Sequence, residues 1–203
     1  MTTPRTACAL AVASLSVLLM TGCGSGGQDA APSPIPSQTQ SASPTPGDGQ
    51  FVTPEAADRS DVESTAETAA LMLHSWDTAT DESETAAAKR AAPLMSQEWA
   101  SHQVAPERNA SQGEWLEPAK HEAYSAPILS ESRSDATAHD YGPNRAERQY
   151  EVTWTWQGRD DTAIPSSTAR KVTIFLERHD GQWEVVGHDS RPLPGQSQMD
   201  QDS

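Results

Sequence analysis

The chain has 203 residues, a formal net charge of -15 and 2 cysteines, Cys8 and Cys23. A charge balance this acidic disfavours nucleic acid and anionic lipid headgroups as partners, because both would repel it. Two cysteines this close to the N-terminus exclude a disulfide-rich scaffold, a thiol nucleophile and a cysteine-based metal site in the rest of the chain. The remaining length suits one domain with a substantial core.

The N-terminal segment has the pattern of an export signal. Arg5 is the only charged residue before Cys23, and residues 7–20 are apolar or small, which is typical of a signal peptide and too short to span a bilayer. The stretch Leu18-Leu19-Met20-Thr21-Gly22-Cys23 resembles the lipobox of bacterial lipoproteins. The resemblance implies that residues 1–22 are removed and that Cys23 carries a diacylglycerol. The protein would then be anchored to the extracytoplasmic face of the cell membrane. The alternative is a plain secretory signal that happens to end near a cysteine.

Residues 23–57 are predicted to form a disordered tether. Gly, Ser, Gln and Pro dominate the segment, and Ile35 is the only large aliphatic residue between Cys23 and Phe51. Such a segment buries too little apolar surface to offset the entropy lost on ordering. We expect it to hold a folded domain, residues 58–191, away from the membrane. The tail, 192–203, is also predicted to be disordered.

The first part of the domain is predicted to be helical. Apolar residues recur at helical spacing over residues 60–77, and Ser60 with Glu63 fits a capping box at the start of this helix. Shorter helices are expected over residues 84–92 and 94–102.

A loop is predicted to follow the helices. Prolines and a glycine interrupt residues 104–120, and no helical or strand periodicity is visible there. Trp115 and Leu116 are the large apolar residues of this segment, and we expect them to hold it against the domain.

The second part of the domain is predicted to form antiparallel strands. Residues 122–133 read as a strand that Pro127 restricts to an edge or a bend. Strict alternation of apolar and polar residues over 150–157 predicts a strand with one apolar face. Two further strands are expected over 169–179 and 182–190, joined by a tight two-residue turn.

Helices followed by antiparallel strands imply an α+β fold in which N-terminal helices pack on a curved sheet. The helical run that begins at Thr68, the Ala-rich segment from Ala88, and the Trp-rich strand with its C-terminal hairpin resemble the NTF2-like (SnoaL-like) superfamily. The resemblance covers residues 58–191 and implies a cone-shaped domain, of a kind found in actinobacterial lipoproteins. The superfamily includes isomerases, dehydratases, cyclases, secretion-system assembly domains and members without activity, so the fold does not settle the function.

No catalytic residue, cofactor or metal site is predicted. Enzymes that resemble this fold place an Asp or His on the inner face of the sheet, and the inner faces of the two clearest strands are expected to carry no ionisable group. His74 and Asp77 would share one side of the first helix, with Asp81 one turn further on. A solvated helix end is the favoured interpretation of these three residues, over a metal site or an acid–base pair.

The tryptophans are the remaining signal, because the chain has 6 Trp and only 2 Phe. Trp76, Trp154 and Trp156 are candidates to line a cavity for an apolar or sugar-like ligand. We expect Trp156 to lie nearest the cavity mouth. The alternative is that the indoles simply fill a wide core.

These observations favour a membrane-anchored extracytoplasmic lipoprotein with a non-catalytic binding or assembly domain in the cell envelope. Its expected partners are the membrane, through Cys23, and an envelope protein or a small apolar ligand, but not nucleic acid. One alternative is a small-molecule isomerase or hydratase, which a buried Asp or His opposite Trp154 or Trp156 would support. Another is an accessory component of a conjugation or secretion apparatus.

Overall fold

A computed structural model of the chain describes residues 44–107, 112–131 and 138–193. Cys23, the predicted signal peptide, most of the predicted tether and most of the predicted tail lie outside these residues. The helices are α1 (Val62–Leu73), α2 (Thr85–Ala91), α3 (Gln97–Ser101) and α4 (Gln112–Lys120). The strands are β1 (Tyr124–Glu131), β2 (Ala138–Asp140), β3 (Arg145–Gln157), β4 (Ala163–His179) and β5 (Gln182–Pro192). The predicted α+β architecture, with helices packed on a curved antiparallel sheet, is confirmed.

The sheet has the order β1-β3-β4-β5, and β2 also pairs with β3. Side chains along β3 alternate between buried and more exposed positions, which confirms the apolar face predicted from the sequence. Tyr150, Val152, Trp154 and Trp156 all lie on the buried face. β1 is an edge strand, where Pro127 is tolerated because a missing N–H costs no hydrogen bond on a free edge.

A tight turn joins β4 to β5. Asp180 has a φ of 50° and Gly181 a φ of 82°, the left-handed conformation that a two-residue hairpin turn requires at both positions. The predicted hairpin is therefore confirmed.

The first helix begins and ends elsewhere than predicted. Asp61, not Ser60, caps α1, because its carboxylate accepts a hydrogen bond of 2.8 Å from the Ser64 N–H. The predicted capping box is wrong, since Glu63 instead pairs with Arg148, a guanidinium on the buried face of β3.

The helix ends at Leu73, although the apolar spacing continues to Trp76. Beyond it, the backbone of Trp76 accepts a hydrogen bond from the Ser125 N–H, and its own N–H donates to the Ser125 hydroxyl. Pairing with β1 therefore replaces the last predicted helical turn.

Residues 112–120 form α4, so the prediction of a loop through this segment is wrong. Trp115 is buried and packs edge-to-face on Trp156, with 6.2 Å between ring centroids. This burial offsets the cost of Pro118 inside the short helix. Leu116, which we expected to help hold the segment, is 67% exposed.

The folded domain begins earlier than residue 58, because residues 44–57 pack against it. The Asp77 carboxylate is fully buried and accepts a hydrogen bond of 2.8 Å from the Gly47 N–H. Arg159 donates to both oxygens of Asp77, at 3.0 and 2.8 Å, and its Nη2 lies 2.9 Å from the Asp48 carboxylate. The end of the predicted tether is therefore ordered by an ion-pair network that composition alone does not reveal.

Replacement of this clamp should loosen the N-terminal segment. Arg159→Gln leaves the buried Asp77 carboxylate without its counter-charge, so we expect a loss of about 3 kcal/mol in the free energy of unfolding. We also expect faster proteolysis within residues 45–53. Urea denaturation and limited proteolysis with mass spectrometry measure the two effects.

Arg145→Gln is the matched control, because Arg145 forms an exposed ion pair with Glu177. Such a pair contributes less than about 1 kcal/mol. Equal losses from the two variants would contradict a structural role for the Arg159 clamp.

Candidate functional site

An open cavity of about 190 Å³ lies between the C-terminal end of α1, the start of α2, residues 102–104 and the inner face of β4 and β5. Its polar lining includes His74, Glu84, His102, Arg170, His188 and Ser190. Larger depressions, of about 460 and 560 Å³, lie on the outer face of the sheet and beside α3. None of the ionisable side chains that line those depressions is buried, so the smaller cavity is the better candidate site.

Arg170 places a positive charge on the face of the sheet that was expected to carry no ionisable group. It lies on β4 in phase with Val172, and its guanidinium carbon is 5.2 Å from the ring centroid of Trp76 and 5.5 Å from that of Trp154. Its Nη2 is 3.1 Å from carboxylate oxygens of both Glu84 and Glu114. Ring contacts and two carboxylates together compensate the charge at the cavity wall.

His74 is 2% exposed and is held as a neutral ring. Its Nδ1 lies 2.8 Å from the Ala70 carbonyl oxygen, which can only accept, so Nδ1 carries the proton and donates. Its Nε2 therefore accepts from the Ser190 hydroxyl, at 3.3 Å. Burial lowers the pKa of His74 to about 4, and the positive charge of Arg170 acts in the same direction.

His188 is held as the opposite tautomer. The Trp99 indole N–H, which can only donate, lies 3.2 Å from His188 Nδ1, so Nδ1 is the acceptor and Nε2 carries the proton. Burial lowers the pKa of His188. Within the described part of the chain, the Nε2–H has no partner, and His188 lines the cavity.

Sequence alternation alone misses the part of β5 that lines the cavity. Phe175 pairs with Gly187 and Leu176 with Val185, so Val186 is an extra residue that reverses the alternation. His188 and Ser190 consequently face inward and line the cavity, whereas Asp189 and Arg191 lie on the outer face of the sheet. The isolated glycine inside a strand pattern was the one signal for this bulge.

The expectation of a solvated end to the first helix is wrong. His74, Asp77 and Asp81 are all buried, but they have separate partners. Asp77 pairs with Arg159, and Asp81 accepts two hydrogen bonds from Arg90, at 2.5 and 2.7 Å. Among the described residues, no group of three or more potential ligands is arranged to hold a metal ion.

The three candidate tryptophans lie together, but only Trp76 lines the cavity. Trp154 packs edge-to-face on it, at 5.2 Å between ring centroids, and Trp156 lies 6.3 Å from it. Neither Trp154 nor Trp156 lines the cavity, so the expectation that Trp156 lies nearest the cavity mouth is wrong. Trp154 also faces His74, at 6.4 Å, which places a buried histidine opposite a tryptophan as the enzyme hypothesis requires.

No family model matches the sequence, and no curated protein matches it. The solved structures that resemble this chain include two bacterial proteins. An IcmL-like type IV secretion system protein from Legionella pneumophila is 12% identical, with a TM-score of 0.43 over 69% of this chain and 96% of that chain. The VirB8 protein of Agrobacterium tumefaciens is 11% identical, with a TM-score of 0.42 over 66% of this chain and 92% of that chain. Likeness at this level transfers no function. Among the described residues, no helix has the length and apolar character needed to cross a membrane.

The buried neutral state of His74 should make stability depend on pH. Because its pKa is about 4 when folded and 6.5 in the reference state, the unfolded chain binds the proton more readily over this interval. We expect the His74 contribution to be intact above pH 6.5 and to fall by about 3 kcal/mol between pH 7 and pH 4.

Urea denaturation of the parent and of His74→Asn, across this pH range, tests the effect. The asparagine can donate to the Ala70 carbonyl but does not titrate, so its stability should vary less with pH. His179→Asn, at an exposed position, is the matched control and should keep the parental dependence. A His74→Asn curve parallel to the parental curve would contradict this account of His74.

Proposed function

We propose that this protein is a membrane-anchored extracytoplasmic lipoprotein whose domain is a non-catalytic binding module of the cell envelope. One observation carries the binding part: the open cavity is walled by a compensated arginine and by neutral histidines already engaged within the protein. Such walls can recognise a ligand by hydrogen bonding without exchanging protons with it.

The state of the ionisable groups argues against proton transfer. An efficient general base has a pKa near the working pH, whereas the pKa of His74 is about 4. The Nε2 of His74 already accepts from Ser190, and Nδ1 of His188 already accepts from Trp99. Arg170 is available to hydrogen-bond a ligand, but its charge is offset by two carboxylates.

The anchor rests on the N-terminal sequence, where an apolar segment ends at Cys23. Two acyl chains on this residue would suffice for stable membrane attachment. Because the Arg159 clamp orders the chain from about residue 45, the flexible spacer would be shorter than the segment 23–57. Treated as a flexible coil, the spacer from Cys23 to residue 45 spans roughly 25 Å.

The enzyme alternative keeps one specific observation in its favour. His74 is buried opposite Trp154 at the edge of a cavity, which is the arrangement expected for a small-molecule isomerase or hydratase. Its low pKa and its existing hydrogen bonds make it a weak base. The binding module is therefore the better supported function.

Anchoring is tested by intact mass and membrane fractionation of the protein expressed in a bacterial host with lipoprotein processing. We expect the mature parent to begin at Cys23, to carry added diacylglycerol mass and to sediment with membranes. Cys23→Ala should be unlipidated and leave the membrane fraction. Cys8→Ala is the matched control and should behave as the parent, because residue 8 lies in the segment expected to be removed. A soluble, unlipidated parent would contradict the anchor.

Binding without turnover is tested with a chemically diverse panel of several hundred small molecules. We expect ligand-observed NMR to detect panel members that bind and that displace one another from the cavity. Chromatography should recover these compounds unchanged. Conversion of any bound member, lost in His74→Asn, would contradict the non-catalytic assignment. Binding by no member of the panel would contradict the binding function.

A further inference from the structure

We propose that the cavity binds a small neutral polyhydroxylated molecule of monosaccharide size. This inference rests on the proposed binding function and names the ligand class of the same site. Size, charge, hydrogen-bonding groups and the apolar wall each support it.

The cavity volume limits the ligand. Pockets for drug-sized molecules typically enclose about 300 to 1,000 Å³. This cavity encloses about 190 Å³, so it suits a single six-membered ring with small substituents better than a disaccharide or a lipid chain. The ligand is therefore of monosaccharide size.

The charges around the cavity favour a neutral ligand. Arg170 is paired with Glu84 and Glu114, each at 3.1 Å, so an anion would have to compete with two carboxylates for it. The rings of His74 and His188 are neutral in their observed hydrogen bonds and add no positive charge. Glu84 is the carboxylate that lines the cavity, and both of its oxygens accept from Arg170, at 3.3 and 3.1 Å, so a cation would have to compete with this guanidinium for it. A ligand of either charge would therefore lose its hydrating water without gaining a free counter-charge in the cavity.

The hydrogen-bonding groups favour hydroxyls. His188 offers its Nε2–H as a donor. Because the Ser190 proton points to His74, the Ser190 oxygen offers its lone pairs as an acceptor. Donor and acceptor thus lie side by side along β5, and a ligand hydroxyl, which both donates and accepts, can satisfy each of them.

A purely apolar ligand would remove water from the His188 Nε2–H and the Ser190 oxygen without giving them a hydrogen-bond partner. Each unsatisfied group would cost about 1 to 3 kcal/mol. The small apolar ligand expected from the tryptophan content therefore fits the cavity poorly.

One side of the cavity is apolar, which suits the C–H face of a sugar ring. Leu73 and Ala88 line it together with the Trp76 indole. The indole is fixed in place, because Trp154 packs against it edge-to-face and the Arg170 guanidinium lies over its ring. A pyranose presents the matching surface, with C–H groups on one face and hydroxyls around its rim.

The test uses saturation-transfer NMR on the purified full-length protein with six probes of similar size. Glucose, galactose and mannose are the neutral polyols, gluconate and glucosamine carry opposite charges, and cyclohexanol is a largely apolar ring. We expect at least one neutral sugar to bind, and the charged and apolar probes to bind roughly tenfold more weakly.

Variants of the two β5 side chains connect binding to the cavity. His188→Leu should weaken binding of the neutral sugar roughly fivefold, as for the loss of one hydrogen bond, whereas His188→Gln can still donate and should bind more tightly than His188→Leu. Ser190→Ala, a small change expected to preserve the fold, should also weaken binding. His179→Leu is the matched control and should bind as the parent, because residue 179 lies on the exposed hairpin.

Three results would overturn the ligand class. These are tighter binding of gluconate, glucosamine or cyclohexanol than of every neutral sugar, sugar binding that is unaffected in both His188→Leu and Ser190→Ala, and no binding by any of the six probes. None of these contradicts the binding function itself, which fails only if the diverse panel finds no ligand for the cavity.

Discussion

The domain has to accommodate the guanidinium of Arg170 on the inner, mostly apolar face of its sheet. Alternation along β4 places it inward, next to Val172, where an uncompensated charge would be costly. Two tryptophan rings and two carboxylates surround it, and these come from the segment after α1, from β3, from the residue before α2 and from α4. Several separate elements therefore contribute to the compensation of one charge. The cavity lies where their side chains meet.

The same charge helps to determine the chemistry of the cavity. Burial disfavours His74 as a cation and the charge of Arg170 acts in the same direction, and the neutral ring donates to a backbone carbonyl and accepts from a hydroxyl. His188 is fixed as a neutral ring by the Trp99 indole. His74 and His188 therefore present fixed donors and acceptors to the cavity. Such a wall suits selective binding of a neutral polar molecule better than acid–base catalysis.

The antiparallel strands and the hairpin at the end of the domain could be predicted from the sequence because they depend on local patterns. Alternation in β3 and the Asp180-Gly181 turn each determine a conformation over a few residues. Details that depend on tertiary partners could not be predicted in this way: Trp76 leaves the helical pattern to pair with β1, and residues 44–57 are ordered by Arg159.

Only part of the candidate site could be predicted from the sequence. Arg170 is in phase with the apolar residues of β4, so its inward direction was predictable, whereas the bulge at Val186 concealed the inward direction of His188. His74 and His188, two of the histidines that line the cavity, are neutral and fixed in opposite tautomers. Long-range ¹⁵N–¹H NMR of the histidine rings, recorded from pH 7 down to pH 5, tests this assignment most directly. We expect His74 to stay neutral with its proton on Nδ1, and His188 at pH 7 to be neutral with its proton on Nε2. A His74 ring that titrates near pH 6.5, or that exchanges between tautomers, would contradict the account.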